Sequence, residues 1–125
     1  MTWLLVAEDS DDLREMLADA LRGRGYEVHT AGDGAEVVQM LDAAAEMPAV
    51  VLLDLLMPRV SGREVLRAMR SVGRAMHVPV VLITGLELSE ADISAFDVAE
   101  VLQKPVPAER LFAAIDKACE RSASA

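Results

Sequence analysis

The stretch Ala49-Val50-Val51-Leu52-Leu53-Asp54-Leu55-Leu56-Met57-Pro58 is the longest apolar run in the chain, and a single acid interrupts it. It is far too short to span a bilayer. Its first five residues have no polar face, so as a strand they need cover on both sides. That is the situation at the centre of a parallel sheet. A carboxylate closing such a strand costs on the order of several kcal/mol unless it is paired or serves a function. Asp54 is therefore the first residue to suspect of chemistry.

Working outward, residues 79–84 form a second valine-rich run, and Trp3–Ala7 a third that stops abruptly at Glu8-Asp9. Residues 26–31 alternate, with Tyr26, Val28 and Thr30 on one face and Glu27 and His29 on the other. Residues 98–103 are short and broken by Glu100. The continuous runs suit the middle of a sheet and the two interrupted ones its edges. Between them lie segments of helical period. The first carries Leu13, Met16, Leu17, Ala20 and Leu21 and is stopped by Gly23 and Gly25; the second carries Val37, Val38, Leu41, Ala44 and Ala45. The third opens on the capping-box pattern Ser61-Gly62-Arg63-Glu64 and presents Val65, Leu66 and Met69. The fourth, around residues 89–96, is short and weakly amphipathic. The last follows Pro107 with Leu111, Phe112, Ile115 and Cys119. Five β-α units in strict alternation predict an α/β fold, a five-stranded parallel sheet with helices on both faces.

A chain of 125 residues, just over half of it apolar, fills one domain around one sizeable core. Residues 1–121 are expected to form that domain and residues 122–125 a short frayed tail. Twelve basic against twenty-one acidic side chains give a net charge of −9, which argues against direct contact with nucleic acid and suits a cation or a basic protein surface. The lone Cys119 excludes an internal disulfide and a thiolate metal cluster, and at an apolar helical position it reads as a buried bystander. The N-terminus shows neither a basic region nor a small-residue cleavage site, so a cytoplasmic protein without membrane association is the simplest reading.

Ligands of a parallel α/β sheet bind beyond the carboxyl ends of its strands. Four of the five expected strand ends carry polar groups there: Glu8 and Asp9, Asp54, Thr84, and Lys104. Three carboxylates drawn together repel and call for a cation, and an all-oxygen donor set with no histidine or cysteine selects a hard ion such as Mg²⁺. Lys104 adds a positive charge and Thr84 a hydroxyl. An aspartate nucleophile, a metal that offsets phosphoryl charge, and an ammonium and hydroxyl for the remaining oxygens are what phosphoryl transfer to a carboxylate requires. Read alone, Glu8 and Asp9 are better taken as helix N-terminal charges beside Ser10, Asp11 and Asp12, and it is Asp54 and Lys104 that turn the reading towards a site; Asp11 and Asp12 are assigned to capping and surface roles.

The segments Leu4-Leu5-Val6-Ala7-Glu8-Asp9, Gly25-Tyr26-Glu27-Val28, Asp54-Leu55-Leu56-Met57-Pro58, Pro79-Val80-Val81-Leu82-Ile83-Thr84 and Lys104-Pro105 together resemble, in order, the receiver domain of two-component response regulators. The resemblance implies a CheY-like, flavodoxin-like (βα)5 fold with strand order 2-1-3-4-5. It implies Asp54 as phosphoacceptor, Mg²⁺ held by Glu8, Asp9, Asp54 and the backbone carbonyl of Leu56, and Thr84 and Lys104 at the phosphoryl group. It implies a cis Lys104–Pro105 bond, a sensor histidine kinase or phosphotransfer protein as donor, and a downstream protein as target. It implies a regulatory phosphoacceptor and not an enzyme, although one that assists its own phosphorylation and dephosphorylation.

Three departures from that pattern stand out. Val101 occupies the position where receivers usually carry an aromatic switch residue. The interval from Thr84 to Lys104 is about two residues short of the usual length, which predicts a short or displaced fourth helix. Leu56 and Leu86 stand where many receivers carry polar side chains. Two other readings compete: a phosphorylation-independent interaction module that retains the acidic site as a relic, and a flavodoxin-like nucleotide or flavin binder. The second lacks a glycine-rich loop after the first strand, where Glu8-Asp9-Ser10-Asp11-Asp12 would repel a phosphate.

Overall fold

The computed structural model describes residues 2–71 and 73–124. Five strands and five helices alternate: β1 (Trp3–Ala7), α1 (Asp11–Gly23), β2 (Glu27–Ala31), α2 (Gly34–Ala43), β3 (Val50–Asp54), α3 (Gly62–Ser71), β4 (Val80–Thr84), α4 (Glu90–Ala95), β5 (Glu100–Gln103) and α5 (Ala108–Ser124). All pairings are parallel and the order is β2-β1-β3-β4-β5, so β2 and β5 form the edges. The register sets Ala7 beside Leu53, Asp54 beside Ile83, and Thr84 beside Gln103, which brings the polar strand ends to one rim.

The side-chain alternation of each strand splits the interior into two layers. On one face Leu4, Val6, Leu52, Val81 and Ile83 meet Leu17 and Leu21 of α1 and Leu111 and Ile115 of α5. On the other, Leu5, Val51, Leu53, Val80 and Leu82 meet Val37 and Leu41 of α2 and Val65, Leu66 and Met69 of α3. Every residue of β3 and β4 is buried, as their unbroken apolar runs require.

In detail the structure bears out some of the sequence-based expectations and corrects others. The buried stripe of α1 is Leu17, Ala18 and Leu21, while Met16 is 65 % exposed. One step along a helix turns the side chain by about 100°, and the small Ala18 takes the core position that Met16 was expected to share. α2 ends at Ala43, so Ala44 is its C-cap and Ala45 lies beyond it. The Ser61–Glu64 box is formed: the Glu64 N–H donates to Ser61 Oγ at 3.3 Å and the Ser61 N–H to Glu64 Oε1 at 3.4 Å. α4 has six residues and buries none of them, in keeping with the short interval before Lys104. α5 continues through Ser124, across most of the segment expected to fray; Ala125 lies outside the described residues. No helix among the described residues is long and apolar enough to cross a membrane.

Candidate functional site

The rim at the C-terminal ends of β1, β3, β4 and β5 gathers the polar residues that the sequence singles out. Glu8 directly follows β1, and its N–H donates to the Ala31 carbonyl at 3.1 Å, so the β1–β2 pairing carries the backbone one residue beyond the strand. Its side chain is 1 % exposed, Asp54 and Thr84 are also buried, and Asp9 is exposed at the mouth. Glu8, Asp9 and Asp54 each offer a carboxylate oxygen within 4.8 Å of the others. A three-oxygen cluster of this size, two of its members buried, suits a hard divalent cation.

Lys104 comes in from the end of β5, where its N–H donates to the Thr84 carbonyl at 2.7 Å and the Lys104–Pro105 bond is cis. Its Nζ donates to Glu8 Oε1 at 3.1 Å and Oε2 at 3.3 Å, and to Asp54 Oδ2 at 3.0 Å. The ammonium thus bridges the two buried acids. Asp54 Oδ1 accepts from the Leu56 N–H at 3.1 Å, and Thr84 Oγ1 accepts from the Leu86 N–H at 3.1 Å. Burial, reinforced by the neighbouring Asp54, pushes the Glu8 carboxyl up to about 7 despite the opposing Lys104. Burial pulls the Lys104 ammonium down, but its hydrogen bonds to Asp54 and Glu8 outweigh this and leave it above the ordinary lysine value. One positive charge against two buried carboxylates leaves the cluster short of cations.

Close backbone approaches hold the loop after Asp54. A Cβ on Gly62 would lie 2.4 Å from the Asp54 carbonyl oxygen and 2.7 Å from Leu55 Cα, and one on Gly34 would lie 2.1 Å from the Val60 carbonyl oxygen. Only glycine fits either place. Between these clamps Arg59, at a φ of 65°, donates from Nε and Nη2 to Asp33 Oδ2 at 3.2 and 2.5 Å. Asp33 Oδ1 meanwhile accepts from the Glu36 N–H at 2.9 Å and caps α2. Arg59 and the Asp11 partner Arg14 line a polar groove that also includes Asp9. Asp33-Gly34-Ala35-Glu36 is a readable cap pattern, but nothing local to the sequence pairs Asp33 with an arginine 26 positions on. At the start of α1 the cap is Ser10, whose Oγ accepts from the Leu13 N–H at 3.4 Å. The expected capping role of Asp11 is thus not observed; it pairs with Arg14 at 2.6 Å.

Residues 4–116 match the family described as the response regulator receiver domain. The response regulator MprA of Mycobacterium ulcerans is 34 % identical over 112 residues, covering 88 % of this chain and 47 % of MprA. The transcriptional regulatory protein CpxR homolog of Haemophilus influenzae is also 34 % identical, covering 99 % of this chain and 53 % of its own length. Among solved structures, a response regulator receiver domain protein from Clostridium thermocellum superposes with a TM-score of 0.87 at 29 % identity, over 98 % of both chains. The chemotaxis protein CheY4 of Vibrio cholerae superposes with a TM-score of 0.84 at 28 % identity, over 94 % of this chain and 98 % of CheY4. The chain belongs to the response regulator receiver family, the regulatory domain of two-component systems. It spans about half the length of the curated relatives it matches.

Proposed function

We propose that the chain is a phosphoacceptor receiver in which Asp54 takes a phosphoryl group from a histidine kinase or phosphotransfer protein and thereby switches a contact with a downstream protein. The observation that carries this is the bridging of the buried Glu8 and Asp54 by Lys104 with Asp9 at the mouth. A buried acidic pair short of one cation has little structural use, since apolar residues would fill the same space at lower cost. It suits a site that must accept a metal and a phosphoryl dianion.

Glu8, Asp9, Asp54 and the Leu56 carbonyl are the oxygen ligands we assign to Mg²⁺, which when bound would offset charge on the transferring phosphoryl oxygens. An Asp54 carboxylate oxygen attacks phosphorus; the bond to the donor's nitrogen or oxygen breaks and its electron pair leaves with the donor, giving an acyl phosphate. Lys104 is already within 3.0 Å of Asp54 and can follow the new oxygens without leaving Glu8. Thr84 lies beside them at the end of the adjacent strand, and its hydroxyl can donate to a second oxygen once it turns from Leu86. The product of the transfer is the modified chain itself, so the role is regulatory. The net charge of −9 argues against nucleic acid as a direct partner.

A phosphorylation-independent module is the second reading, favoured by Val101 in the switch position and by an α4 that buries nothing. Incubation with acetyl phosphate, with Mg²⁺ or with chelator, separates the two. The phosphoacceptor reading expects metal-dependent label that falls sharply in Lys104→Ala; absence of label under both conditions would favour the module.

A further inference from the structure

Although the chain is strongly acidic, one face of it is not. Residues 59–78 hold five of its twelve basic side chains, Arg59, Arg63, Arg67, Arg70 and Arg74, against a single acid, Glu64. Arg63, Arg67, Arg70 and Arg74 recur at helical spacing along one side of α3 and the turn after it. Elsewhere arginines sit beside carboxylates: Arg14 by Asp11, Arg22 by Asp19, Arg24 by Asp116, Arg59 by Asp33 and Arg110 by Glu100. On α3 they are fixed by other means. Arg63 stacks over Phe96 at 5.0 Å, and Arg74 donates to the Ala44 and Ala45 carbonyls at 2.5 and 2.8 Å. Arg70 donates to the carbonyls of Ala75, Met76, Val78 and Asp97, and its nearest counter-charge is the exposed Asp97 carboxylate at 3.4 Å. Among the described residues Arg63 and Arg67 are exposed and have no carboxylate partner. The ring and the carbonyls thus orient Arg63 and Arg74 without neutralising them, while Arg70 keeps Asp97 as its counter-charge. Between α3 and α4 lies a groove of about 320 Å³ with Leu66, Ala95 and Phe96 in its wall beside the guanidinium groups.

The complementary surface is on α1. Its outer side exposes Asp12, Glu15, Met16 and Asp19, and at 65 % Met16 is the most exposed large apolar side chain among the described residues. Because α1 covers one face of the sheet and α3 the other, the two surfaces cannot meet within a molecule.

We propose that α1 of one copy docks on the α3–α4 face of a second copy, with Glu15 and Asp19 opposite Arg63 and Arg67 and Met16 entering the groove beside Phe96. Each acid pair and each arginine pair is spaced one helical turn apart, so two crossed helices can match them. A thioether against an aromatic edge is a favourable filling for the groove. The contact is heterologous, so copies add head to tail. One helix pair buries less than the roughly 1,200 Å² of a stable interface, so the association is weak and salt-sensitive.

Sedimentation velocity on the full chain, from about 10 μM to about 1 mM in low salt, tests this. The average mass should rise with concentration and return to monomer in high salt. Arg63→Glu/Arg67→Glu and Glu15→Arg/Asp19→Arg each set like charges face to face, so each double variant alone should associate about tenfold more weakly. An equimolar mixture of the two restores opposite charges at every contact and should associate at least as well as wild type. Circular dichroism matching wild type confirms that these exposed substitutions leave the fold intact. A wild-type monomer throughout the range, double variants that associate like wild type, or a mixture that stays monomeric would each overturn the proposal.

Discussion

At the scale of single residues, the convergence of the polar strand ends was legible in the sequence and its electrostatics were not. Asp54, Thr84 and Lys104 announce themselves as polar groups ending apolar strands. The bridging position of Lys104 and the difference in burial between Glu8 and its neighbour Asp9 depend on side-chain placement across 96 positions of sequence. That burial has a pH signature. With a folded value of about 7 against an ordinary 4.5, Glu8 holds its proton more firmly in the native state than in the unfolded chain. Without metal its contribution to stability is therefore present below about pH 4.5 and is lost as pH rises towards about 7. Since a ligand carboxylate must be ionised, Mg²⁺ affinity should rise over the same window and level off above it. Titrations at about pH 5.5 and about pH 8 check this, and equal affinities would show that Glu8 is not a ligand. Leu56 and Leu86, 55 % and 40 % exposed, project outward beside the site and offer no hydrogen bond to an attacking water. Loss of label from the phosphorylated protein should be about tenfold slower in wild type than in Leu56→Asn/Leu86→Glu, a barrier difference of about 1.4 kcal/mol. Equal decay would place control of the lifetime elsewhere.

At the scale of elements, periodicity located all ten, and the misses have physical causes. Met16 was assigned to the core because apolar residues at helical spacing define a stripe without giving its centre, and a small Ala18 filled the place. Gly62 falls inside the cap pattern that opens α3, but nothing local to the sequence shows that its lack of a Cβ lets the helix start against the backbone of Asp54 and Leu55. Gly62→Ala should therefore cost about 1–3 kcal/mol in denaturant unfolding, because the obstructing atoms are backbone and cannot turn aside. A loss of less than half a kcal/mol, roughly what an ordinary surface substitution produces, would show that the loop shifts freely. α4 was correctly expected to be short. With Val101 partly buried against the α3-side core, no aromatic ring is available there to swing between exposed and buried positions. Beryllofluoride, a phosphoryl mimic, should then perturb amide resonances of the site loops more than those of α4 and β5. Large shifts centred on Val101 would contradict this.

At the scale of the whole molecule, the alternation of elements made the α/β class legible, and the family resemblance supplied the strand order that alternation alone leaves open. The distribution of charge was less visible: the total reads −9, but only the folded chain shows a basic α3 and an acidic α1 on opposite sides of the sheet. The two-layer interior, buried on both faces of β3 and β4, gives the acidic rim a rigid base. A rim that carries repulsion in a stable frame should gain stability when one acid is removed. Asp54→Ala should melt higher than wild type in chelator, and a lower melting temperature would mean that Lys104 already balances the cluster. The central claim is that the phosphoryl group is carried on Asp54, and it is tested most directly by locating the modification. Wild type and Asp54→Asn would be treated with acetyl phosphate and Mg²⁺, reduced with borohydride to trap the acyl phosphate, and mapped by peptide mass spectrometry. The account predicts a single modified residue, Asp54, in wild type and none in Asp54→Asn; modification at another residue, or an undiminished yield in the variant, would contradict it.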